Sequence, residues 1–179
     1  MQAVVTMLDD ASCALVQLLW EGIEHEFGIQ TGFANPIPHF TYHVAESYDW
    51  KRLRDVLWHA SHDHKPFRIH AGGLGLFTGN KLVIHVPLVR NPALNALQGG
   101  LWTDLRRVGT GVVQHFHPEL WIPHLTLARN GLTPELLPVV VKWLAERSYT
   151  WDVRVDHLGL IEESGNAGEL AHRFRLTGP

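Results

Sequence analysis

Two tetrapeptides, His39-Phe40-Thr41-Tyr42 and His124-Leu125-Thr126-Leu127, each place an imidazole and a hydroxyl two residues apart. On an extended strand that spacing sends both polar side chains to one face and the intervening apolar ones to the other. Two such faces meeting across a cleft would suit in-line displacement at phosphorus. One neutral histidine would take a proton from the attacking nucleophile while the other, protonated, delivers one to the leaving oxygen. Histidine is the side chain whose ordinary pKa permits both states near neutrality. The threonine hydroxyls would donate to the non-bridging oxygens, where negative charge grows. Positioning and electrostatic stabilisation are the usual route to phosphoryl chemistry, so neither metal nor cofactor is expected.

The elements that must carry these residues recur. A buried strand over Ala3 to Leu8 and a helix to about Phe27, stopped by Gly28, lead to a strand from Pro36 to Val44 and a helix from about Tyr48 to Ala60. Strands over Phe67 to Phe77 and Leu82 to Val89 follow, joined by a hairpin turn at Thr78-Gly79-Asn80-Lys81. After Asn91-Pro92 come a helix to about Val108, a strand from Ile122 to Ala128, a helix from Pro134 to Glu146, and strands over Trp151 to Ile161 and Leu170 to Leu176. Pro38-His39-Phe40-Thr41-Tyr42 returns 85 residues on as Pro123-His124-Leu125-Thr126-Leu127, Trp58 returns 85 on as Trp143, and Leu74-Gly75-Leu76 returns 84 on as Leu158-Gly159-Leu160. A long unit present twice is a duplicated lobe, since a solenoid needs several shorter ones. The expected architecture is a single α+β domain over 1–179, built of two lobes at about 1–90 and 91–179. Two antiparallel-rich sheets, related by a pseudo-two-fold around a central cleft, would carry helices packed outside, and exchange of strands between the lobes is left open.

These paired H-x-T-x motifs in a duplicated chain of this length resemble the two-histidine (2H) phosphoesterase superfamily, in its 2′-5′ RNA ligase-like, cyclic phosphodiesterase branch. The resemblance runs from the first strand to the last. It implies a bilobal fold around a cleft and hydrolysis of 2′,3′-cyclic phosphates on RNA ends or nucleotides. It also implies, in the reverse sense, joining of such an end to a 5′-hydroxyl. By the motif match, His39 and His124 carry the acid/base roles and Thr41 and Thr126 hold the phosphate; the partners would be RNA ends or small nucleotide phosphodiesters.

Other residues are weaker candidates. His43 continues the His39/Thr41 parity and would line the cleft, and His85 would do so from a neighbouring strand. Arg129, just past the second motif, is the nearest cation for a phosphate, ahead of Arg90 and Arg173. Phe116 and Trp121 flank Pro118 and could stack a base, as could Phe77. The tract from His59 through His62 to His64 invites a metal reading, but its composition alone is a weak argument. The glycines from Gly72 to Gly79 lack a lysine directly after the last glycine and a following helix, so a strand and turn explain them better than a phosphate loop.

Composition sets the remaining bounds. The 179 residues, 45% hydrophobic and 18% charged, fit one folded unit with its own core and exclude a disordered chain. A net charge of −3 argues against coating long nucleic acid through a broad basic surface. The single cysteine, Cys13, rules out an internal disulfide framework. No stretch approaches the roughly 18 apolar residues of a membrane span, and the first ten residues lack a basic leader. The reading is a cytoplasmic monomer with no membrane partner. Two rival classes stand beside it: a nucleotide or RNA-end binding module without turnover, and a histidine-rich metal-binding protein.

Overall fold

Strand pairing in the computed structural model interleaves the two halves of the chain. The structure describes residues 1–29, 37–79, 81–164 and 167–179, with the side chains of 163–171 also outside the description, so Pro36, Asn80 and the Leu170 side chain lie beyond it. The elements are β1 (Gln2–Met7), α1 (Asp10–Phe27), β2 (His39–Ala45), β3 (Ser47–Tyr48), α2 (Trp50–Asp63), β4 (Phe67–Ala71), β5 (Gly75–Phe77), β6 (Val83–Pro87) and α3 (Pro92–Leu105). They continue with β7 (Gly109–Thr110), a 3-10 turn (Gln114–Phe116), β8 (His124–Ala128), α4 (Leu137–Ala145), β9 (Trp151–Val155), β10 (His157–Ser164) and β11 (Ala167–Arg175).

One sheet runs β11-β10-β1-β2 and another β5-β6-β8, so each draws strands from both halves. A separate ladder pairs β4 with β9, and the short β3 and β7 pair with each other. In the β4–β9 ladder Ile69 lies opposite Val153, its own counterpart 84 residues on, with Arg68 opposite Arg154 and His70 opposite Asp152. An antiparallel pair centred on a residue and its repeat mate has a local two-fold axis through it. The two larger sheets obey the same symmetry: Gly159, Val5 and Thr41 form a row across β10, β1 and β2, and Gly75, His85 and Thr126 form the corresponding row across β5, β6 and β8. Each carries a register shift at the same place, between Val4 and Val5 and between Ile84 and His85.

The α+β organisation expected from the repeat is present, with two refinements. The apolar stretches 67–77 and 151–161 are each two strands, because both divide between the β4–β9 ladder and a larger sheet. Gly73, at φ 77, turns the first of them in a conformation that favours glycine.

Local chemistry accounts for the helices. The Asp9 carboxylate accepts the Ser12 amide at the start of α1, and Gly28, in the left-handed region at φ 65, ends it by donating to the Glu24 carbonyl. Asp49 and Asn91 cap α2 and α3 in the same way. Helices α2 and α3 pack on each other and on the four-stranded sheet, whereas α1 packs on β8. Trp143 of α4 meets α1 at Gly22 and, edge to face, at Phe27. Among the described residues no helix is long and apolar enough to cross a membrane.

A Cβ at Gly22 would stand 2.5 Å from the Trp143 ring. Gly22→Leu is therefore expected to lower stability by about 1–3 kcal/mol, as overpacking does, read as a lower urea midpoint at unchanged m-value. Gly99→Ala on α3, where nothing lies within 4 Å, should instead be neutral or raise the midpoint.

Candidate active site

Both motif histidines are held by the same local bond. His39 Nδ1 lies 2.6 Å from the Ile37 carbonyl oxygen and His124 Nδ1 lies 2.8 Å from that of Ile122, in each case two residues upstream across a proline. A carbonyl only accepts, so Nδ1 carries the hydrogen and Nε2 is the nitrogen left for chemistry, bare when the ring is neutral and an N–H donor when it is protonated. Proline keeps the residue before it extended. The Pro38 and Pro123 carbonyls accept the Leu8 and Leu88 amides, both at 2.9 Å. The Ile-Pro-His tripeptide, identical in the two halves, is thus a built cradle, and its recurrence is a signal that the H-x-T pattern alone does not capture.

Strand alternation holds at both motifs. Phe40, Tyr42, Leu125 and Leu127 are buried in the core, while His39, Thr41, His124 and Thr126 are half-buried on the opposite faces. Beside His39 and Thr41, their register partners Met7 and Val5 join Ile161 in a small apolar cluster under that face. Tyr42, in the motif's fourth position, sends its hydroxyl to Thr6 Oγ1 at 2.9 Å. Thr6 in turn donates to the His157 carbonyl at 2.7 Å, so Tyr42 is the donor to Thr6.

Strands β2 and β8 approach each other, and one tryptophan ties them. The Trp121 indole N–H donates to the Thr41 carbonyl at 2.8 Å, from a position three residues before His124. On the other side the Trp20 indole of α1 donates to the Thr126 carbonyl at 3.0 Å. Both motif threonines therefore have their backbones anchored by an indole.

This corrects the base-stacking expectation for Trp121. It is only 3% exposed, stacks on Tyr42 at 5.9 Å and carries the Arg90 guanidinium over its ring, so its faces are occupied. Phe116 is likewise packed against the core, and its carbonyl accepts from the buried Gln98 amide. Among the described residues Phe77 meets a motif histidine, edge to face with His124 at 4.9 Å.

His43 also departs from its expected place. The register shift leaves Tyr42 without a partner between Thr41 and His43, so parity changes there. His43 is fully buried against Trp102, with Nδ1 2.5 Å from the Tyr48 hydroxyl. Burial lowers its pKa to about 4. His85 meets the other motif: its ring lies 5.1 Å from that of His124, and burial together with the neighbouring His124 charge lowers its pKa to about 4. His124 itself is lowered by burial, against the pull of the Ile122 carbonyl.

Of the arginines, Arg129 is exposed just beyond β8. Arg90 is committed to Asn95 and the Pro118 and Trp121 carbonyls, and Arg173 to Asp156 and His157. In the His59–His64 tract, His62 stacks on Trp58 at 4.1 Å and bonds its carbonyl, which gives that ring a structural role at the end of α2.

The 2′-5′ RNA ligase superfamily model matches residues 9–167. The chain belongs to this superfamily. Among solved structures it is similar to TT0787 of Thermus thermophilus, at TM-score 0.71 and 16% identity over 99% of this chain and 98% of that one. It is similar to Escherichia coli LigT in a complex with NADP+, at TM-score 0.63 and 16% identity over 98% and 96% of the two chains. The same LigT in a complex with 3′-AMP gives TM-score 0.62 at 16% identity over 98% and 97%. No curated protein matches by sequence.

Two predictions follow from the buried groups. His43 and His85 titrate near the ordinary 6.5 when unfolded and at about 4 when folded, so the unfolded chain binds more protons between those values. Their contribution is complete above about pH 6.5 and lost as the pH falls toward 4. Urea unfolding should show stability falling by about 2–4 kcal/mol from pH 7 to 5; no fall would contradict the burial of neutral imidazoles. Trp121→Phe keeps a ring but removes the donor to the Thr41 carbonyl, and should cost about 1 kcal/mol of stability on the same measurement.

Proposed function

We propose that the cleft opens 2′,3′-cyclic phosphates on RNA ends or nucleotides by a two-histidine mechanism, and that RNA ends of this class are joined by the same displacement when a 5′-hydroxyl takes the place of water. The observation that carries the reading is the duplicated cradle. Each histidine has Nδ1 fixed on the carbonyl two residues upstream and a threonine on the same strand face. In hydrolysis, Nε2 of one neutral histidine takes a proton from water as its oxygen bonds to phosphorus. The bond from phosphorus to one ribose oxygen breaks, and the other histidine, protonated at Nε2, gives its proton to that oxygen. The product is a 2′- or 3′-monophosphate, according to which ribose oxygen leaves. Ligation runs the same transfers in the same sense, with a 5′-hydroxyl in place of water: its oxygen bonds to phosphorus as its proton goes to the neutral histidine, the bond to the ribose 3′-oxygen breaks, and that oxygen takes the proton of the other histidine, leaving a 2′-5′ linkage.

Membership of the superfamily supports this reading, as do the nucleotide complexes of LigT, a protein of the same fold. The threonine hydroxyls supply donors where charge builds on the phosphate, and the indole bonds keep their strands from shifting.

Purified protein in EDTA should open 2′,3′-cyclic nucleotides or cyclic-phosphate RNA ends with a bell-shaped dependence of kcat/KM on pH. His39→Ala and His124→Ala should each lower kcat/KM by roughly 10²- to 10⁴-fold, and Thr41→Val and Thr126→Val by roughly 10²-fold. Full turnover by either histidine variant would overturn the assignment.

A further inference from the structure

The pseudo-two-fold breaks at two neighbouring positions beside the second motif, His85 against Val5 and Phe77 against Ile161. The row Gly159, Val5, Thr41 of one sheet corresponds to Gly75, His85, Thr126 of the other, down to the register shift, yet the middle residue is valine in one and histidine in the other. Packing alone does not require a histidine, since Val5 fills the equivalent place and is fully buried there. His85 is 3% exposed, and the Val83 backbone is the hydrogen-bonding group that faces its ring. A buried imidazole where the matching strand has an aliphatic side chain calls for an explanation.

Its surroundings supply one. The ring lies over Gly75, where a Cβ would run into His85 Nε2, so glycine is the residue that clears it. Phe77 stacks on it at 4.0 Å with the planes 22° apart. Both rings then meet His124, Phe77 at 4.9 Å and His85 at 5.1 Å. Glycine, phenylalanine and histidine on β5 and β6 thus form one aromatic wall against the second motif histidine, with valine at the matching place beside the first motif.

We propose that His85 is a positioning residue: with Phe77 it walls His124 off from water and fixes its ring, making the two motif histidines of an otherwise two-fold cleft inequivalent proton carriers. This rests on the acid/base reading of the cleft. The titratable group facing His124 from β6 is His85 itself; β5 contributes only Phe77, β2 carries His39, α1, packed on β8, carries Glu21 and Glu24 around Trp20, and Arg129 and Lys81 lie beyond the ends of the strands. Burial already holds His124 below the ordinary histidine value. His85 adds no competing charge, because burial and its neighbour keep it neutral well below pH 6.

The test is a pH titration of the full chain with its histidine rings isotopically labelled, read by NMR, with His124 assigned from the signal lost in His124→Ala. His124 should titrate below 6.5 in the unaltered protein. In His85→Ala, which admits water beside the ring, it should move up by at least half a pH unit, while His85→Phe, which restores the wall without a titratable group, should bring it back. The acid limb of kcat/KM should move with it, and kcat should fall more than KM rises in His85→Ala. An unshifted His124 in a folded His85→Ala protein, or no restoration by phenylalanine, overturns the inference. The ring titration needs no turnover, so it can succeed while cyclic phosphates are not opened, and that outcome would count against the proposed activity alone.

Discussion

The antiparallel pairing of β4 with β9 is the constraint from which the rest of the architecture follows. With Ile69 opposite Val153, its own repeat mate, the duplicated halves are related by an axis through that pair. The three strands β10, β1 and β2 on one side are then matched by β5, β6 and β8 on the other, while β11 has no counterpart among the described residues. The arrangement interleaves the halves: β1 pairs with β10 and so joins β2 and β11 into one sheet, while β8 completes a sheet begun by β5 and β6. Each motif strand therefore lies in a sheet drawn from both halves of the sequence. A perturbation of either half reaches both motifs, through backbone pairing and through the Trp20 and Trp121 indoles that hold the threonine carbonyls.

Within that frame the imidazoles are prepared by short-range bonds. A proline between the accepting carbonyl and the histidine sets the backbone, and the carbonyl then selects the Nδ1–H tautomer at both sites. Nothing in this device distinguishes the two halves. The distinction comes from the neighbours, since β6 sets a histidine where β1 has a valine. Local bonds thus make the pair alike, and side-chain packing makes it unlike, which suits a reaction that needs one acid and one base.

Much of this was legible in the sequence, and the exceptions have physical reasons. The parity of His39, Thr41, His124 and Thr126 could be read because Phe40, Tyr42, Leu125 and Leu127 mark the core face unambiguously. Extending the same parity to His43 failed, because the register shift in β2 depends on which residues of β1 lie opposite, and that is a property of the sheet. Trp121 looked free to stack a base because its position before the second motif says nothing of Thr41, 80 residues earlier, whose carbonyl claims the indole. The stretch 67–77 read as one strand because its apolar content is continuous, although its parts belong to different sheets. His85 was visible as a candidate, but its meeting with Phe77 and His124 depends on three strands drawn from both halves.

The central claim is that the two H-x-T faces serve one phosphate. A crystal structure with a nucleoside 2′- or 3′-monophosphate bound tests it most directly. The account predicts a phosphate within hydrogen-bond distance of Nε2 of both His39 and His124, with the Thr41 and Thr126 hydroxyls on its oxygens. A phosphate held by one motif alone, or seated away from both, would contradict it.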